Sequence, residues 1–368
     1  MKRKKVLILG KLPPPYMGPS IGTEIMLRSK LNEDFELIHL NTKANHSIET
    51  LGKWRFNKLF KNIRIYYKMI RLISKHKPDI ALIPISQKTL GYLKDSVFLI
   101  LAASFNTKTV IHFLGGDFKE RVDASGVLMK KYIRYTLQLS EGAIVLGNNL
   151  KYHFEDFFTS ENIYIIPNGA DYQFPLPEKK TDDKLRIIYL SNMLPAKGIE
   201  DILQALAILK KNYETGFIFK ITGSWRDSAT KKKCLSIIET NTLPVIFSPP
   251  EISNEEKLKH LVNSDLFVFT PRAPEGQPWA ISEAMAAGLP IISTNSGAIT
   301  ESVIDGENGY IVQKNAPNQI AEKIKYLIEH PDLRKKMGDN SRKKYLENLT
   351  EEKMVEKFRI CFNSIINS

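Results

Sequence analysis

Residues 274–290 read PEGQPWAISEAMAAGLP, and this stretch decides how the rest of the chain is read. Pro278 suits an early helical position, Gly288 a C-terminal cap and Pro290 the stop beyond it, so the spacing predicts a helix near 278–287. Trp279, Ala280, Ile281, Ala284, Met285, Ala286 and Ala287 surround Glu283 and place its carboxylate on a mostly buried element. A buried carboxylate without a donor is costly. Ribose or sugar hydroxyls would supply donors, and the loop before the helix, which carries Glu275, would turn backbone N–H groups toward an anion or a sugar oxygen. The bare spacing also fits a solvated loop acid at 275 and, at 283, an acid that caps a neighbouring backbone group.

Working outward, the loop follows the apolar run LFVFTP at 266–271, and open α/β sheets bind ligands at the carboxyl ends of their strands. Similar runs recur at 185–191 (LRIIYLS), 218–223 (IFKITG), 244–249 (PVIFSP), 289–294 (LPIIST) and 309–312 (GYIV). An earlier cycle occupies 6–9 (VLIL), 36–40 (ELIHL), 80–85 (IALIPI), 109–114 (TVIHFL) and 142–147 (GAIVLG). Short β-branched runs alternating with helical stretches argue βαβ units and parallel sheets. The expected fold class is therefore α/β with two Rossmann-like domains: 1–171, a linker at 172–184 (YQFPLPEKKTDDK), 185–349, and a terminal helix over 350–368. A length of 368 residues agrees with two cores rather than one.

The pattern from 275 onward, EGQPWAISEAMAAGLPII, resembles the E-x7-E donor-site motif of the family-4 retaining glycosyltransferases. The resemblance continues in NSGAITE (295–301) and DGENGYIV (305–312), with IPNGAD (166–171) similar to the family's interdomain segment. It implies the GT-B architecture, two Rossmann-like domains facing across a cleft, with the terminal helix a candidate to cross back to the first domain. It further implies that Glu275 contacts donor-sugar hydroxyls, Glu283 the ribose hydroxyls, and the backbone of Gly276, Gln277, Pro278, Trp279, Ala280 and Ile281 the donor's anionic part. SNMLPAKG (191–198) is similar to the family's phosphate-contacting segment, with Lys197 at the lysine position. Here Ser191 replaces the usual glycine and Asn192 the usual arginine, so one diphosphate cation is missing, and Arg272 is a candidate to compensate. Gln277-Pro278 stands where relatives carry Phe-Gly, which makes the identity of the sugar less transferable.

In the first domain, LGKLPPPYMGPSIGTE (9–24) puts Gly18 and Gly22 where the family has its glycine loop; the same glycines would also serve a turn. His112, in VIHFLGGD, stands where the resemblance places a histidine beside the reacting sugar, and its other reading is a core histidine satisfied by backbone. Asp117 is the candidate on the acceptor side. The implied reaction is retaining transfer from a UDP- or GDP-linked sugar, in which the departing phosphate takes the acceptor's proton. No DxD pair or cluster of metal-ligand spacing is present, so neither a metal nor a cofactor is expected. An epimerase on the same fold and a non-catalytic nucleotide-sugar-binding protein are the rival readings.

Charge adds a partner to this picture. Residues 1–171 hold 26 Lys/Arg against 15 Asp/Glu, which accounts for most of the net +13. The excess concentrates in 51–77, LGKWRFNKLFKNIRIYYKMIRLISKHK, which has no acid. On a helical wheel Lys58, Lys61, Arg64, Lys68, Arg71 and Lys75 form one stripe and Phe56, Phe60, Ile63, Tyr67, Ile70 and Ile73 another. An anionic membrane surface and simple packing on the first sheet both fit such a helix. Nucleic acid is not expected, because no binding motif accompanies the charge. Two cysteines, Cys234 and Cys361, exclude a disulfide framework, no apolar run reaches bilayer length, and MKRKKVLILG reads as a first strand rather than a leader. The expected location is cytoplasmic, extending to the inner face of the cell membrane for a lipid-linked or glycan acceptor.

Overall fold

The structure is a computed structural model that describes residues 3–14, 16–43, 55–178, 183–212, 216–249 and 252–368, without the side chains of 55–60 and 212. Two compact units form: residues 1–170 with 351–368, and residues 171–350. Each is built on a parallel sheet of six strands.

In the first unit the strands are β1 (Lys4–Gly10), β2 (Phe35–Asn41), β3 (Ile80–Ile85), β4 (Lys108–Phe113), β5 (Gly142–Val145) and β6 (Ile163–Ile165), ordered β2-β1-β3-β4-β5-β6. β1 carries Val6, Leu7, Ile8 and Leu9, all buried, because a parallel strand covered on both faces needs an unbroken apolar run. β6 escapes a sequence reading, since three residues are too few to show a period.

The C-terminal helix Glu351–Asn367 completes this first unit. Its Phe362 meets Phe35 edge-on at 5.7 Å, Phe358 meets the ring of His112 at 5.8 Å, and Arg359 donates to Asp34 at 2.7 Å. Lys108 Nζ donates to the helix's Ile365 carbonyl at 3.0 Å, where a cation suits the negative end of the dipole.

The second unit comprises β7 (Leu185–Leu190), β8 (Phe217–Thr222), β9 (Val245–Phe247), β10 (Leu266–Phe269), β11 (Ile291–Thr294) and β12 (Gly309–Val312), in the order β12-β11-β10-β7-β8-β9. Tyr172 and Phe174, read from sequence as linker, pack against this unit's core.

The basic helix spans Arg55–His76, and its packed stripe differs from the wheel reading. Ile65, Met69 and Ile73 are buried, whereas Ile63 is 52% and Tyr67 65% exposed, among the exposed Lys61, Arg64, Lys68 and Arg71. Periodicity finds the stripes but cannot say which of two neighbouring apolar rows the sheet covers. The side chains of Phe56, Lys58 and Phe60 lie outside the described residues. Cys234 and Cys361 are both buried free thiols, and no helix among the described residues is long and apolar enough to cross a membrane.

Candidate active site

The order of the second sheet creates a switch point. β7 pairs with β8 on one side and β10 on the other, so these neighbouring strands feed crossovers that run in opposite directions along the sheet, the position where open α/β sheets take ligands. The loop after β7 makes a short turn, Pro195–Lys197, ended by Gly198 at φ +74°. A Cβ at Gly198 would lie 1.9 Å from the Thr270 carbonyl oxygen, so only glycine lets this turn press against the end of β10. Arg272 N–H then donates to the Ala196 carbonyl at 2.9 Å and ties the two loops together. The outcome is an ion pair, with Lys197 Nζ 2.6 Å from Glu275 Oε1, both side chains keeping some solvent access.

NSGAITE holds the Glu275 loop from the other side. Glu275 N–H donates to Ser296 Oγ at 3.0 Å, that hydroxyl donates to the Ala273 carbonyl at 2.9 Å, and Ala298 N–H donates to the Gly276 carbonyl at 2.9 Å. Gly297, at φ +56°, permits the approach.

The helix itself runs Trp279–Ala286 with Pro278 at its N-cap, and Gly288 takes φ +74° beyond its end. Glu283 is buried, as expected, but its partner is Lys257 Nζ at 2.5 Å. Lys257 stands on the helix Asn254–Val262, fixed by Ser253 Oγ accepting from Glu256 N–H at 3.0 Å. Tyr172 is also near: its buried hydroxyl has no hydrogen-bond partner, and burial first, then the negative charge of Glu283, push its phenol well above the ordinary range. Neither Lys257 nor Tyr172 carries a sequence signal for this placement. Only Ser253 and Glu256, a capping pair, mark the helix that delivers the lysine.

Some expected donors and cations are otherwise occupied. Pro278 has no N–H and Ile281 N–H donates to the Pro278 carbonyl at 3.0 Å, so those two positions offer a ligand no backbone donor. Arg272 does not present an open charge: its guanidinium spans both oxygens of Asp201 at 2.6 and 2.8 Å and approaches Glu200 at 3.4 Å. Those acids begin the helix Ile199–Asn212, where negative charge suits the N-terminus. Asn192 is exposed at the end of β7 and accepts from Arg226 Nε at 3.4 Å.

In the first unit, Gly22 lies within the helix Gly18–Arg28 rather than in a loop, and Pro15 falls outside the described residues. His112 sits at the carboxyl end of β4, and Asp117 N-caps the helix Phe118–Asp123 while pairing with Arg121 at 2.6 Å. His112 Nε2 and Asp117 Oδ1 are both buried without a partner. His112 Nε2 thus lacks the backbone partner of a satisfied core histidine.

Burial lowers the His112 imidazole to about 4. Between pH 6.5 and 4 the unfolded chain binds a proton that the folded one refuses, so His112 lends stability in full above the upper limit and loses it as pH falls. From pH 8 to pH 5 the loss should be about 2 kcal/mol, and His112→Gln should flatten the pH dependence of the urea midpoint by that amount. Equal slopes in both proteins would refute this.

Residues 173–344 match the model of the family described as glycosyl transferases group 1. An uncharacterized glycosyltransferase of Methanocaldococcus jannaschii is 23% identical over 91% of this chain and 88% of its own length. The capsular polysaccharide biosynthesis glycosyltransferase CapM of Staphylococcus aureus is 24% identical over 100% of this chain and 98% of its own. Among solved structures, a Rickettsia africae glycosyltransferase superposes with a TM-score of 0.75 at 17% identity, covering 100% of this chain and 99% of its own, a likeness of fold alone. Anabaena HepE in complex with UDP and glucose superposes with a TM-score of 0.72 at 16% identity, covering 98% and 100%. The match falls on residues 173–344, just under half of the chain, so the second of the two Rossmann-like units is the part that is similar to the glycosyl transferases group 1.

Proposed function

We propose that the chain transfers a sugar, with retention of configuration and without a metal, from a UDP- or GDP-linked donor to a glycan or lipid-linked acceptor in surface-polysaccharide or lipopolysaccharide synthesis. One observation carries the reading: the Lys197–Glu275 pair at the switch point, with Glu283 eight positions further on the same loop and helix. Glu275 accepts from hydroxyls of the transferred sugar, Glu283 from the ribose, and Lys197 meets the diphosphate, where a fixed cation stabilises charge that grows as the nucleotide leaves. This charge stabilisation is assigned to side chains and backbone. His112 Nε2 and Asp117 Oδ1, both unpartnered, are assigned to substrate hydroxyls.

CapM's stated role in capsular polysaccharide biosynthesis, and a 26% identical Staphylococcus aureus poly(ribitol-phosphate) alpha-N-acetylglucosaminyltransferase, support the surface-polymer assignment. The structure of HepE with UDP-glucose supports a nucleotide-sugar donor. Exposed Ile63 and Tyr67 among the lysines and arginines of Arg55–His76 support docking on an anionic membrane of the cytoplasmic face.

Glu283→Gln tests the donor site. UDP or GDP should raise the melting temperature of the wild type, and the amide should weaken that nucleotide about 10- to 100-fold, because a carboxylate is the stronger acceptor for ribose hydroxyls. Proton NMR of the product should show the donor's own anomeric configuration, formed at an unchanged rate in a chelator. An inverted anomer or a chelator-sensitive rate would overturn the corresponding element of the proposal.

A further inference from the structure

We propose that Arg226, from the loop after β8, supplies the diphosphate-binding cation of the donor site in place of Asn192. This rests on the donor-site reading above. β7 and β8 pair through Leu190 and Thr222, and the loops beyond them stay zipped. Ser191 N–H donates to the Thr222 carbonyl at 3.0 Å, Met193 N–H to the Ser224 carbonyl at 3.0 Å, and Met193 and Trp225 form an isolated bridge. Gly223 makes this possible: at φ +141°, a Cβ there would lie 2.0 Å from the Ser191 carbonyl oxygen. Just after Arg226, Asp227 caps the helix Ser228–Thr240 by accepting from Thr230 N–H at 2.7 Å. The backbone on both sides of Arg226 is therefore pinned, and its exposed side chain stands on the carboxyl edge beside Asn192.

Charge distinguishes it from its neighbours. Lys197 is paired with Glu275, Lys257 with Glu283, and Arg272 with Asp201 and Glu200. Arg226 has no carboxylate partner among the described residues, and its contact is the neutral Asn192 amide oxygen at a long 3.4 Å. A guanidinium without an acid, oriented by an amide at the end of the strand next to β7, matches the planar, two-point geometry by which arginine holds phosphate oxygens.

Calorimetric titration of UDP and GDP into wild type, Arg226→Gln, Arg226→Lys and the double variant Asn192→Arg/Arg226→Gln tests the assignment. The diphosphate that binds wild type should weaken about 10- to 100-fold in Arg226→Gln, less in Arg226→Lys, and recover at least half of that factor in the double variant. The ligand-free melting temperature should stay within about 2 °C, since an exposed arginine with one weak contact contributes little to the fold. Affinity unchanged within twofold in Arg226→Gln would overturn the inference and leave the donor site standing. So would a loss that accompanies a lowered ligand-free melting temperature and is not recovered in the double variant. Failure of both nucleotides to bind wild type would instead remove the donor-site reading itself.

Discussion

Glu275→Gln should lower kcat about 10²- to 10³-fold while UDP or GDP still stabilises the variant, the scale of removing one preorganised electrostatic contact in an active site. The residue sits on a loop stapled from two sides, by the turn ending at Gly198 and by Ser296, and its carboxylate lies 2.6 Å from Lys197. In the proposed reaction that carboxylate holds the transferred sugar while the lysine meets the leaving diphosphate, so one pair fixes both sides of the bond that breaks. Glutamine keeps the volume and one acceptor oxygen but loses the charge that orients Lys197. Because the two residues act as a unit, Lys197→Met should cost a similar factor, and the double variant should fall well short of the product of the single losses. Transfer within tenfold of wild type in Glu275→Gln would place the chemistry elsewhere.

Gly297→Ala should destabilise the protein by roughly 2–5 kcal/mol, combining the left-handed backbone penalty with overpacking. The residue takes φ +56°, and a Cβ would lie 1.8 Å from the Glu275 carbonyl oxygen and 2.7 Å from that of Gly276. These contacts are backbone atoms of the loop that carries Glu275, which cannot swing aside as a long side chain would. The methyl must push that loop away from the turn at 296–298, and a displacement near 1 Å in a positioning group costs about 10²-fold in rate. Gly306→Ala is the control: it has a comparable φ of +75° with nothing within 4 Å of the added methyl. It should lose only about 1–2 kcal/mol and leave transfer intact. If the two alanines behaved alike, the close approach to Glu275 would not be what demands glycine at 297.

The sequence by itself determined the two parallel sheets, the helix that carries Glu283 and the loop that carries Glu275. Those features arise from short-range geometry: fully covered strands need unbroken apolar runs, and Pro278 and Gly288 bracket a helix whatever lies around it. It also singled out Lys197 and His112. Who pairs with whom was decided only by the tertiary structure. Strand order sets β7 beside β10 and so brings Lys197 to Glu275 across 78 residues and Arg272 to Asp201 across 71, and the packing of the helices before and after β10 brings Lys257 to Glu283 across 26. Periodicity carries no record of strand order, and a charge is the same letter whether free or paired. That is why Arg272, legible as a spare cation, is held by two acids, while Arg226, unmarked in the sequence, has no carboxylate partner among the described residues.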